Sequence, residues 1–148
     1  MQISDYMDTR LVVFLDAHSQ EEALTDLVNQ IFAIGKLEDK EAFFQAIIER
    51  EKIVSTGIGM GVAIPHAKLP HFDHFFIAIG ILRKPVDWNA LDHAPVRLIF
   101  MIGGPDDKQT EYLQILSHLT QSIKDEKNRK KIFNLNNPKA IIELFKTI

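Results

Sequence analysis

The chain has 148 residues, enough for one ordinary domain with a continuous core, so a single domain over residues 1–148 is the expected organisation. Hydrophobic residues make up 46% and charged residues 25%, and a net charge of −3 with no basic run offers no attraction to nucleic acid or to an anionic membrane surface. The chain has no cysteine, which removes disulfides, thiolate metal sites and cysteine nucleophiles. No apolar run approaches the roughly 20 residues of a membrane-inserted helix. Met1-Gln2-Ile3-Ser4-Asp5 has no signal-peptide pattern, so the expected compartment is the cytoplasm.

In chain order, Leu11-Val12-Val13-Phe14-Leu15 is an apolar run of β type and predicts a buried strand. Ser19 and Glu22 form a capping box, Leu24, Leu27, Val28 and Ile31 fall on one helical stripe, and Gly35 ends that helix. A second helix is predicted from near Asp39, with Phe43 over Ile47 and Phe44 over Ile48, running out at Arg50-Glu51-Lys52. Gly57, Gly59 and Gly61 then break the pattern, and a short apolar piece, Val62-Ala63-Ile64, closes on Pro65-His66. Two strands are predicted over Phe75 to Leu82 and Val96 to Ile102, the second stopped by Gly103-Gly104-Pro105. Leu113, Leu116, Leu119 and Ile123 predict a helical stripe, followed by a polar break at Lys124 to Lys127. Asn137 with Pro138 starts a last helix whose apolar side is Ile141, Ile142 and Phe145. This order of elements points to a sheet with helices packed on it.

Chemistry concentrates between Gly57 and Lys68. Glycines at 57, 59 and 61 allow φ > 0 and close approach of backbone N–H groups to an oxyanion, although a plain loop or bulge has the same composition. The run is neither a Walker loop nor a dinucleotide fingerprint, because no Gly-Lys-Ser/Thr follows and the glycines precede a strand-like piece. Pro65 fixes its own φ and pushes Ile64 into an extended conformation, so His66 is presented from stiff backbone. An imidazole with an ordinary pKa near 6.5 is largely free base at neutral pH and is a competent nucleophile toward a phosphoryl group. Lys68 and Arg50 are candidate cations to balance the charge that such a group brings.

The segments Arg50-Glu51-Lys52 and Ser55-Thr56-Gly57-Ile58-Gly59-Met60-Gly61-Val62-Ala63-Ile64-Pro65-His66 closely resemble the enzyme IIA domain of the fructose/mannitol class of the bacterial phosphoenolpyruvate-dependent phosphotransferase system. The stretch Pro85-Val86-Asp87-Trp88-Asn89-Ala90-Leu91-Asp92, with Pro95-Val96, fits the same pattern, and the resemblance runs from about Leu11 to the C-terminus. It is nearest to the standalone, nitrogen-regulatory branch. The resemblance implies an α/β fold, a three-layer α/β/α sandwich with a mixed β-sheet flanked by helices. It implies that His66 is the phosphoryl acceptor, that Arg50 is an active-site arginine, and that Thr56 and the glycine loop line the phosphoryl pocket. The implied donor is the phosphohistidine of the small carrier HPr or a nitrogen-branch paralogue. A IIB domain or a regulatory target protein is the implied acceptor or partner, and no cofactor is expected.

In one place the chain departs from that family. Where the family commonly has a second histidine beside the first, the matching stretch places Tyr112, whose phenol donates a hydrogen bond but is neither a cation nor a good base near neutral pH. Three functions follow for weighing: a phosphocarrier with regulatory output, a sugar-specific IIA that passes phosphoryl to a IIB cysteine, and a binding module that has lost transfer. Among the other histidines, His66, His71 and His74 stand at H-x4-H-x2-H, but no helical register joins them and no metal site is expected. His18 and His93 are expected in turns, His118 on a helix surface or in packing, and Trp88 in the core.

Overall fold

The computed structural model describes residues 1–146. A 3-10 turn at Ile3–Tyr6 leads into β1 (Met7–Leu15), then α1 (Gln20–Ala33) and α2 (Lys40–Ile53). Three short strands follow, β2 (Gly57–Gly59), β3 (Val62–Ala63) and β4 (His66–Lys68), and then the two long ones, β5 (Phe76–Val86) and β6 (Val96–Gly104). The chain ends in α3 (Gln109–Lys124), α4 (Glu126–Asn134) and α5 (Pro138–Glu143). The helix starts are set by local chemistry. Ser19, Asp39 and Asn137 each accept, on a side-chain oxygen, backbone N–H groups that a helix start leaves unpaired.

The strands form one six-stranded mixed sheet in the order β1-β5-β6-β3-β2, with β4 also on β6. β5 and β6 are antiparallel, while β1 on β5 and β3 and β4 on β6 are parallel. Side chains alternate along the two central strands. Phe76, Ala78 and Leu82 of β5, with Ile99 and Met101 of β6, face the core built by Leu24, Leu27 and Ile31 of α1 and Phe43 and Ile47 of α2. Ile77, Ile79 and Ile81, with Leu98, Phe100 and Ile102, face Ile115 and Leu119 of α3, Ile132 of α4 and Ile141 of α5. Both faces of the central strands are therefore buried, which is why these segments read as continuous apolar runs. The result is the three-layer α/β/α sandwich with a mixed sheet.

Several local expectations are corrected. The glycine run is not a loop: β2 and β3 make an antiparallel hairpin whose turn residues, Met60 and Gly61, have φ of 61° and 74°. Two successive positive φ values are what a two-residue hairpin turn requires. Gly103 and Gly104 do not stop the strand but lie in β6, because a Cβ there would stand 2.3 Å from the Phe76 ring and 2.1 Å from the Phe75 ring. His66 to Lys68 form a strand that their short polar sequence does not announce. On α3 the buried stripe is Tyr112, Ile115, Leu119, Ser122 and Ile123, whereas Leu113 points to solvent. The polar break after it is a single residue, Asp125, which caps α4.

Candidate active site

Three elements meet at His66. β4 carries it, held in register by pairing of His66 with Ile102 and by the Ile102 N–H donating to the Pro65 carbonyl at 3.0 Å. Ala67 is buried in the α1/α2 core, so strand alternation turns His66 and Lys68 to the other face, toward α3. The last full turn of α2 supplies Arg50, and the first turn of α3 supplies Tyr112.

The hydrogen bonds fix the imidazole tautomer. Nδ1 lies 3.0 Å from the Ile64 carbonyl oxygen, which can only accept, so Nδ1 carries the proton. Nε2 is left with a lone pair, and that lone pair accepts from the Arg50 Nε–H at 3.2 Å. Arg50 is anchored by a second bond, Nη1 to the Val54 carbonyl at 2.8 Å. Partial burial pushes the His66 pKa below its usual 6.5. The Ile64 bond and the Glu51 charge oppose that shift, and the Arg50 and Lys68 charges add to it. The ring is thus half-buried and neutral, with its free lone pair on Nε2.

Tyr112 packs beside this ring, with centroids 5.6 Å apart, and against Phe75 at 6.1 Å. Burial pushes its phenol up to about 12, with Arg50 pulling the other way, so the hydroxyl stays protonated across the physiological range. The Lys68 ammonium lies over the Tyr112 ring, 4.3 Å from its centroid, and donates to Gln109 Oε1 at 2.7 Å.

The other residues expected here, Thr56 and the three glycines, lie in the run of short strands and connections that leads to His66. Thr56 is buried, and its polar atoms are engaged inside the protein. Its N–H and hydroxyl both donate to the Glu51 carboxylate, its Oγ1 accepts from Trp88 Nε1 at 3.2 Å, and its carbonyl accepts from the Ile64 N–H. It ties the end of α2 to the strand before His66. Gly57, Gly59 and Gly61 pack on the 90–95 segment: a Cβ on each would meet Ala90, the Asp92 carboxylate and the Pro95 carbonyl, respectively. The hairpin turn already holds an anion, since the Met60 N–H donates to Asp92 Oδ2 at 3.1 Å. In this arrangement the glycines serve the hairpin and its packing on the 90–95 segment. His71 stacks on Phe72 at 4.7 Å, and among the described residues no three acidic or histidine side chains gather to hold a metal. Glu51 and Gln109 are the residues that sequence reasoning did not assign. Glu51 had a signal in its place beside Arg50, whereas Gln109 had none.

The chain matches, over residues 5–148, the family described as phosphoenolpyruvate-dependent sugar phosphotransferase system, EIIA 2. It is 35% identical over 130 residues to the "PTS system fructose-specific EIIABC component" of Bacillus subtilis, a match covering 88% of this chain but 20% of that protein's length. It is 29% identical over 142 residues to the "Nitrogen regulatory protein" of Bradyrhizobium diazoefficiens, covering 95% of this chain and 92% of that one. The crystal structure of nitrogen regulatory protein IIA-Ntr from Neisseria meningitidis superposes with a TM-score of 0.91 at 25% identity, covering 98% of this chain and 99% of the other. Sequence match and fold agree, and the chain belongs to the EIIA 2 family of the phosphoenolpyruvate-dependent sugar phosphotransferase system, a family of phosphoryl carriers.

Proposed function

We propose that His66 Nε2 accepts a phosphoryl group from the phosphohistidine of an HPr-type donor, HPr itself or a nitrogen-branch paralogue, and that the main output is regulatory. The observation that carries the acceptor role is the pair of bonds on the imidazole, Nδ1–H to Ile64 and Nε2 to Arg50, and the similarity to nitrogen regulatory proteins supports the regulatory output. In the step, the Nε2 lone pair forms the new N–P bond while the donor's N–P bond breaks and leaves its electron pair on the donor ring. The proton stays on Nδ1, hydrogen-bonded to the Ile64 carbonyl, which stabilises the positive charge the ring gains as the bond forms. Arg50 yields the lone pair and turns its guanidinium to a phosphoryl oxygen, with Lys68 as the second cation. Residues 1–148 act here as one acceptor domain, in the cytoplasm and without a cofactor.

Incubation with phosphoenolpyruvate, enzyme I and HPr of both branches, followed by intact-mass measurement, tests this. One acid-labile, alkali-stable phosphoryl group is expected, and His66→Ala should abolish it. Label persisting in that variant, or none from any donor, overturns the reading. The fructose-specific relative favours a second reading, a sugar-specific IIA that passes phosphoryl to a IIB cysteine. Rapid discharge onto a fructose- or mannitol-type IIB domain would select it. A binding module without transfer, for which Tyr112 in place of the second histidine speaks, would show neither labelling nor discharge.

A further inference from the structure

We infer that Gln109 is a positioning residue of this site: it holds the Lys68 ammonium on the face of Tyr112, beside His66, so that a fixed cation stands where the family pattern has a second histidine. The inference rests on the proposed acceptor role of His66 and adds to it a residue that touches neither the imidazole nor the phosphoryl group.

Lysine is a flexible point charge, and an exposed one ordinarily spends its time in water. Here three constraints act on one ammonium. β4 sends the Lys68 side chain to the same face as His66, two residues away. The Tyr112 ring lies under Nζ at 4.3 Å, and Gln109 Oε1 accepts from it at 2.7 Å. Gln109 and Tyr112 are three apart in the first turn of α3, so they form one surface that receives the lysine. The chemistry of the acceptor matters as much as its place. An amide oxygen is neutral, so it orients the ammonium without cancelling its charge, whereas a carboxylate would neutralise Lys68 and set a negative charge beside an incoming phosphoryl dianion. The charged groups that face His66 are Arg50 and Glu51 from α2 and Lys68 from its own strand, with the neutral phenol of Tyr112 from α3.

The test compares the full chain with Gln109→Ala, Gln109→Glu, Lys68→Gln and the double variant Gln109→Ala/Lys68→Gln. Two readouts are taken: the His66 titration by NMR, and the rate of phosphorylation by the donor from the preceding experiment. Gln109→Ala should raise the His66 pKa toward its ordinary value and slow phosphorylation about two- to tenfold, the range expected for one lost hydrogen bond. Gln109→Glu should keep the lysine in place yet slow phosphorylation at least as much. In the Lys68→Gln background, Gln109→Ala should add nothing to either readout. Wild-type values in both Gln109 variants, or an undiminished Gln109→Ala effect without Lys68, overturn the inference. A chain that takes no phosphoryl group at all overturns the acceptor reading instead, and the His66 titration still decides the role of Gln109.

Discussion

His66 owes the free lone pair on Nε2 to a peptide carbonyl two residues back. With Nδ1–H committed to Ile64, Nε2 has nothing to do but accept, and Arg50 holds that lone pair in place. Because burial and two nearby cations keep the His66 pKa below 6.5, the free base persists to lower pH than for an ordinary histidine. Phosphorylation should therefore be flat above about pH 6.5 and fall only below it. The stability sign follows: between the depressed folded value and 6.5 the unfolded chain binds the extra proton, so stability rises with pH through that window and is lost as pH falls through it. Arg50→Ala should move the His66 titration upward and slow phosphorylation by roughly ten- to a thousandfold. Its melting temperature should change little, since among the described residues the guanidinium bonds, beyond His66, only the Val54 carbonyl. NMR titration and rapid-quench kinetics check both parts, and equal losses of fold and activity would make Arg50 structural. At Tyr112 the departure from the family pattern has a physical content. A phenol pushed up to about 12 donates a hydrogen bond but never becomes a cation, so it is expected to hold a phosphoryl group without helping it leave. Tyr112→His should speed onward transfer and make it pH-dependent between about pH 6 and 8, and Tyr112→Phe should shorten the phosphohistidine lifetime. Exchange rates identical in all three forms would mean that the residue only packs.

Among the elements, the end of β6 shows how packing reassigns residues that look like punctuation. Gly103 and Gly104 are in the strand because the rings of Phe76 and Phe75 occupy the space a side chain would need. Gly104 pairs with Lys68, and its carbonyl accepts the Leu69 N–H, so this end of the strand supports the lysine directly. Phe75 in turn stacks on Tyr112. Gly104→Ala should cost about 1–3 kcal/mol in denaturant unfolding, as overpacking of a filled core does, and should slow phosphorylation by displacing Phe75 against Tyr112. A wild-type denaturation midpoint would show that the ring moves aside freely. The α3 stripe carries the same lesson. Leu113 satisfies the helical period as well as its neighbours do, yet it is 54% exposed, because the helix turns Tyr112 and Ile115 to the sheet. Periodicity says that a face exists, and the partner surface selects which of two adjacent faces is used.

Across the whole molecule, two cores on opposite faces of one sheet bring together parts that are distant in sequence. α2 belongs to one core and α3 to the other, and His66 lies where β4 lets both reach it. Phe43, fully buried on α2 with its ring against Phe72 and Phe76, fixes the helix that carries Arg50. Phe43→Ala should cost about 3–5 kcal/mol and lower stability and phosphorylation together, in contrast to Arg50→Ala. Unfolding curves and transfer rates measured on the same samples separate the two behaviours. What the sequence by itself determined is what acts over a few residues or survives as a contiguous pattern. The caps at Ser19, Asp39 and Asn137, the apolar strands, the stiff presentation of His66 by Pro65 and the family resemblance are all of this kind. The tertiary structure alone decided the rest. It set Arg50 on Nε2, gave Thr56 to Glu51 and Trp88, made the glycine run a hairpin against Asp92, and joined Lys68 to Gln109 across 41 residues. The physical reason is that a hydrogen bond or a close ring contact depends on ångström placement in space, and chain spacing fixes such placement only within a strand or a helical turn.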